Sequence, residues 1–190
     1  ESLTPSADNL SYTLTLKPNL KWQDGQPLTA DDVVFTFNKL LDAKQHSFFR
    51  SMFTYGDKPV QVSKVDDRTV KFTLPQVSAA FTGTLVQIYP IPQHVFASEG
   101  DLEKSSKNDA PVGSGPFKFK EYRAGQYYAL TRFDDYWNGK AKLDSVTYRF
   151  AKDSNAANLA LQNGEINLKM VDPQDVNRLK NTGKIGRAHV

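Results

Sequence analysis

The chain has no cysteine, only three histidines, no long apolar run and no block of one charge sign. Each absence removes a class of chemistry. Without cysteine there is no disulfide, no thiolate nucleophile and no thiolate metal ligand. His46, His94 and His189 lie far apart and share no ligand spacing, so no metal site is expected from them. No stretch approaches the ~20 apolar residues that a membrane-crossing helix needs. The 24 basic and 21 acidic residues are interspersed, so the net charge of +3 gives no footprint for nucleic acid.

What remains is ordinary globular material. Hydrophobic residues make up 39% of the 190 positions and charged residues 24%, enough to bury a core in one domain or two small ones. Residues 1–9 lack the basic start and apolar core of a signal peptide. The tail Ile185-Gly186-Arg187-Ala188-His189-Val190 reads like a translated sequencing adaptor and is expected to be non-native.

Hydrophobic periodicity predicts a mixture of strands and helices. Ser11 to Leu16 alternates as a half-buried strand, and Asp24-Gly25 marks a turn. From Ala30 to about Asp42, Val33, Val34, Phe37, Leu40 and Leu41 recur at helical spacing behind a Thr29 cap. Val60–Val65 and Thr69–Leu74 form a hairpin around Asp66-Asp67-Arg68. Ser78–Leu85 and Gln93–Phe96 are short helical pieces flanking an extended Ile88–Pro92. Later strands are expected at Phe117–Tyr122, Tyr127–Arg132, Val146–Phe150 and Ile166–Met170. A helix capped by Asp153 or Ser154 runs to Gln162-Asn163 and stops at Gly164, and Asp172-Pro173 opens another.

Pro111-Val112-Gly113-Ser114-Gly115-Pro116-Phe117 punctuates this order. Its glycines can take positive φ and its prolines fix direction, so it reads as a junction between layers or as a plain surface turn. Catalysis finds no support. Ser114 sits one residue off the register of a nucleophile elbow, and the following Pro116 cannot enter the helix an elbow requires. The Gly-Ser-Gly is too short for a phosphate loop. The pairs Asp31/Asp32, Asp66/Asp67 and Asp134/Asp135 fall at a helix start, a turn and a loop, where solvated structural roles are expected. Most aromatics belong in a core. Phe48, Phe49 and Tyr89 lie in non-periodic stretches and are candidates either for core or for a cleft wall.

Four ordered stretches carry a resemblance. Residues Leu20 to Phe35 (LKWQDGQPLTADDVVF) resemble the signature of extracellular solute-binding proteins of family 5, the peptide- and nickel-binding receptors of ABC importers. Pro111 to Phe117, Arg132 to Gly139 (RFDDYWNG) and Ala160 to Asn167 (ALQNGEIN) are similar to three further family motifs. The resemblance implies a mixed α/β fold of the type II periplasmic-binding-protein kind, present in part. Residues 1–108 would be the small extra subdomain of the first lobe, 109–184 the start of the larger, hinge-bearing lobe, and 185–190 the non-native tail. It implies capture of an oligopeptide, dipeptide or similar solute by two-lobe closure and delivery to a membrane permease. No enzyme activity, cofactor or nucleic acid partner is expected. The place of action would be the periplasm or the outer face of a bacterial membrane. The second lobe and the opening of the first are expected to be missing from this chain. By resemblance, the cleft wall would come from Phe48 and Phe49, from Gln87 and Tyr89, and from Gly113, Ser114 and Gly115. A ligand-presenting sensory or chaperone-like protein on the same scaffold is the alternative.

Overall fold

The structure, a computed structural model, describes residues 1–181. In chain order the first elements are β1 (Ser2–Pro5), β2 (Ser11–Thr15) and α1 (Ala30–Leu41). Two 3-10 turns, Ala43–Gln45 and Phe48–Phe53, lead into β3 (Thr54–Tyr55) and β4 (Lys58–Pro59). Then come β5 (Gln61–Asp66), β6 (Thr69–Thr73), α2 (Phe81–Leu85) and α3 (Gln93–Phe96). The last third holds β7 (Phe117–Arg123), β8 (Tyr127–Arg132), β9 (Ser145–Arg149), α4 (Ser154–Gln162) and α5 (Val176–Lys180). The tail expected at 185–190 lies outside the described residues.

The chain divides into two compact units. The first comprises Glu1–Lys120 and Leu130–Ser145, the second Glu121–Ala129 and the chain from Val146 on. This division does not coincide with the boundary expected at residue 108/109. In the first unit β1, β2, β6 and β5 lie side by side in that order, every pair antiparallel. The period-2 pattern decides which face is buried: Val70 and Phe72 point inward while Lys71 and Thr73 do not. Phe72 stands opposite Tyr12 on one side and Val62 on the other. A bulge between Lys64 and Asp66 shifts the register before the last pair, Asp66 opposite Thr69, at the hairpin turn.

α1 supplies the other half of the core. Its apolar stripe buries Val33, Phe37 and Leu40 against the sheet, while Val34 and Leu41 remain half-buried. Phe37 meets Phe53 and Phe72 edge-on at centroid distances of 5.2 and 5.0 Å. Such geometry suits the ring quadrupoles and adds to the ~1.5–3 kcal/mol gained by burying each side chain. The start of α1 is fixed by Thr29, whose hydroxyl accepts from the Asp31 N–H while its own N–H donates to Asp32 Oδ2.

The strands β7, β8 and β9 form a second sheet in chain order. In the second unit, α4 begins where the Asp153 carboxylate accepts from the Ala156 N–H and ends before Gly164 at φ 77°. The strand expected at Ile166–Met170 is absent. Beyond Gly164 the Glu165 and Ile166 N–H groups turn back to the Ala160 carbonyl, and no strand pairs with 166–170 among the described residues. Alternation alone does not make a strand where no edge receives it. Three strands went unread in the sequence: β1, and β3 and β4 of the small hairpin that turns at Gly56 (φ 65°).

Candidate functional site

The first unit carries an open cavity of about 350 Å³. It is lined by Thr36, Lys39 and Leu40 of α1 and by Gln45, Ser47 and Phe49 from the segment that follows. Gln87, Ile88, Tyr89, Ile91 and Leu102 line it as well. Side-chain bonds hold these irregular segments to the helix. Thr36 Oγ1 donates to the Asp32 carbonyl at 2.7 Å and accepts from the Ile91 N–H at 2.9 Å. Lys39 Nζ donates to the Glu99 carbonyl at 2.6 Å. Gln45 donates to the Gly100 carbonyl and accepts from the Leu102 N–H. Loops with unpaired backbone groups are thus given partners and a fixed position.

The residues expected at a cleft wall fall in two places. Phe49, Gln87 and Tyr89 line the cavity together. Phe48 does not; it is 77% exposed and meets Phe49 edge-on at 5.6 Å. Gly113, Ser114 and Gly115 are half-buried elsewhere in the first unit, held by Gln23. The Gln23 carboxamide donates to the carbonyls of Gly115 and Phe117 and accepts from the Gly113 N–H. The Gln23 N–H also donates to the Gly113 carbonyl at 2.9 Å. Neither glycine has positive φ, contrary to the turn geometry expected of them. A Cβ at residue 113 would stand 3.4 Å from Gln23 Oε1, an ordinary van der Waals contact.

Asp32 corrects another expectation. It is only 4% exposed, not solvated, and both of its oxygens are used. Oδ2 accepts from Trp22 Nε1 at 3.2 Å and from the Thr29 N–H at 2.9 Å, and Oδ1 from the Gln93 N–H at 2.9 Å. One carboxylate therefore ties together the Trp22 segment, the start of α1 and the start of α3. Asp31, by contrast, is exposed and pairs with Lys64 at 2.7 Å. Nearby, His94 Nε2 lies 2.6 Å from Asp24 Oδ2. Burial resists ionisation of Asp24, but hydrogen bonds from His94 and the Gln26 N–H outweigh it and hold the carboxyl below its usual range.

The cavity residues Thr36, Lys39, Leu40, Gln45, Ser47, Ile91 and Leu102 were not singled out from the sequence. Leu40 reads as part of the apolar face of an amphipathic helix, and only the chain fold brings 87–91 and 102 beside it and Thr36. Among the described residues no three His, Cys, Asp or Glu side chains are grouped to hold a metal ion. No helix among them is long and apolar enough to cross a membrane.

Residues 1–189 match the family of bacterial extracellular solute-binding proteins, family 5, middle region. The chain belongs to this family. Family 5 proteins are solute-binding receptors, and several relatives can be placed beside this chain. The oligopeptide-binding protein AppA of Bacillus subtilis is 39% identical over 179 residues, which cover 92% of this chain and 32% of AppA. The crystal structure of the ABC transporter substrate-binding protein CtaP from Listeria monocytogenes superposes with a TM-score of 0.93 at 58% identity. That superposition covers 95% of this chain and 37% of CtaP. AppA in complex with a nonapeptide superposes with a TM-score of 0.88 at 35% identity, over 95% of this chain and 36% of that one. The chain thus spans about a third of the length of the relatives it matches. The family's mixed α/β periplasmic-binding-protein fold is present in part.

Proposed function

We propose that this chain is the ligand-facing part of the first lobe of a receptor that captures peptides outside the cytoplasmic membrane. The receptor passes them to the permease of an ABC importer and performs no covalent chemistry itself. The observation that carries this reading is an open cavity, framed by α1 and two tethered loops, in a family 5 chain with no convergent nucleophile and base beside it. Phe49, Gln87 and Tyr89 are assigned to the ligand surface. Residues 1–108 are assigned to the small subdomain and 109–184 to the start of the hinge-bearing lobe.

Such a receptor works by differential affinity. A peptide touching both lobes stabilises the closed form over the open one, and closure follows from that difference. The test is calorimetric titration of the protein, expressed from its complete reading frame, with dipeptides, tripeptides and longer peptides. Saturable one-to-one binding with the peptide recovered intact is expected. Failure of every length to bind, or recovery of cleaved peptide, would overturn the reading.

A further inference from the structure

The cavity in the first unit has a chemical preference written into its walls. We propose that it takes one uncharged, apolar side chain of a peptide ligand and turns away lysine and arginine side chains. The inference rests on the receptor reading above and adds a selectivity to it.

Size is the first argument. About 350 Å³ sits at the lower end of the ~300–1,000 Å³ of small-molecule sites, room for one bulky side chain and its backbone rather than a whole peptide. The second argument is the lining. Leu40, Phe49, Ile88, Ile91 and Leu102 present hydrocarbon, and Tyr89, 82% exposed, stands free to cover an incoming group with its ring.

Charge adds the selectivity. Among the described residues Lys39 is the only charged one of the lining, and no carboxylate lines the cavity with it. A second cation would be desolvated beside a like charge with no counter-ion, which disfavours it on both counts. An acidic side chain would lose hydration for an ammonium already engaged by the Glu99 carbonyl, so it gains little. The hydroxyl and carboxamide of Thr36 and Gln45 are likewise occupied, by backbone groups of 32, 91, 100 and 102. The Ser47 hydroxyl makes no hydrogen bond among the described residues, and Gln87 Nε2 makes only a long one of 3.4 Å to the Gly83 carbonyl. These two are free to meet the ligand's main chain.

The experiment is a titration of the protein from its complete reading frame with peptides that differ at a single position among Leu, Phe, Glu and Lys. At one position Leu and Phe should bind at least about tenfold more tightly than Lys, with Glu between them. Lys39→Glu should narrow that gap to under about threefold, mostly by strengthening the Lys peptide. Ser47→Asp, which leaves α1 untouched, should do the same more weakly. Tyr89→Ala should weaken the Leu and Phe peptides about fivefold without moving the melting temperature. If peptides bind but every position is indifferent to Leu against Lys, the inference fails and the receptor reading stands. If Lys39→Glu and Ser47→Asp both leave the gap unchanged, the electrostatic argument is overturned. If no peptide binds at all, the receptor reading falls and takes the inference with it.

Discussion

In the first unit a set of large apolar side chains is fully buried, with Trp22, Phe53, Phe72 and Phe81 at most 1% exposed, although Phe48, Val86 and Tyr89 stand out from its surface. In the second, Tyr122, Tyr148, Phe150, Leu159, Leu168 and Met170 are each at least half exposed. Only Ala129, Asn158 and Leu179 are buried there among its described residues. Because stabilisation follows buried apolar area at about 25 cal/mol per Å², the first unit holds itself by its core. The second relies on polar ties. Asn158 donates to Asp175 Oδ2 and accepts from Lys169 Nζ, and Arg149 pairs with Glu165. Exposed ion pairs of this kind are worth ~0–1 kcal/mol each. Stability in this chain is therefore uneven, and the uneven part is the one with the sparse core.

The largest test of that contrast is a pair of truncations. Phe72→Ala should cost about 3–5 kcal/mol, because it opens a hole between Phe37 and Phe81, 5.0 and 5.7 Å from its ring. Phe150→Ala, at a ring already half exposed, should cost under about 1 kcal/mol. Urea denaturation of each variant reads both values. Equal losses would abolish the distinction between the units.

Next in size is Asp32→Ala, expected to cost about 3 kcal/mol. It strands the Trp22 indole N–H and the N–H groups of Thr29 and Gln93 in a buried place. Asp31→Ala, one residue away but exposed, should change stability by less than about 0.5 kcal/mol. A similar loss in both variants would mean that the helix dipole, not the buried network, is what Asp32 serves.

In the second unit, Asn158→Ala should cost about 1–2 kcal/mol, by leaving Asp175 and Lys169 without their shared partner. Hydrogen exchange is the better reading here than global denaturation. Amides of α4 should lose protection while those of α1 keep theirs. If α1 amides lose protection equally, the two units unfold as one.

The same contrast explains what could be read in advance. The strand Ser11–Thr15, the hairpin around Asp66-Asp67-Arg68 and α1 were legible because their periodicity is the imprint of a buried face. Ile166–Met170 also alternates, yet its backbone finds no strand partner, and pattern alone could not reveal that. Trp22 and Asp32 announced a turn and a helix start, but not that an indole ten residues upstream would donate to the carboxylate. The cavity was half legible. Phe49 and Tyr89 stood out as aromatics in non-periodic stretches and Gln87 was implied only by the family resemblance, whereas Lys39 and Leu102 join them only through folding. At 113–115 it is the backbone that is used, through the hydrogen bonds it makes with the Gln23 carboxamide.

The smallest effect expected is a pH dependence at the turn that α3 approaches. Asp24 has its carboxyl held below its usual value of 3.8, by hydrogen bonds from His94 and the Gln26 N–H that outweigh partial burial. A depressed carboxyl contributes stability that is fully present above pH ~4, where the unfolded chain is also ionised, and loses it as pH falls through the lower folded value. Over that window the unfolded chain binds more protons at this site than the folded one does, so stability must rise with pH. Asp8, Asp66, Asp101, Asp134 and Asp175 are lowered as well, so the acid limb has many contributors. Asp24→Asn should therefore flatten the limb slightly rather than remove it. Melting temperatures from pH 2.5 to 7 check this. An unchanged acid limb in Asp24→Asn would mean that the His94 contact, although 2.6 Å long, adds nothing beyond what water gives an Asp at a surface turn.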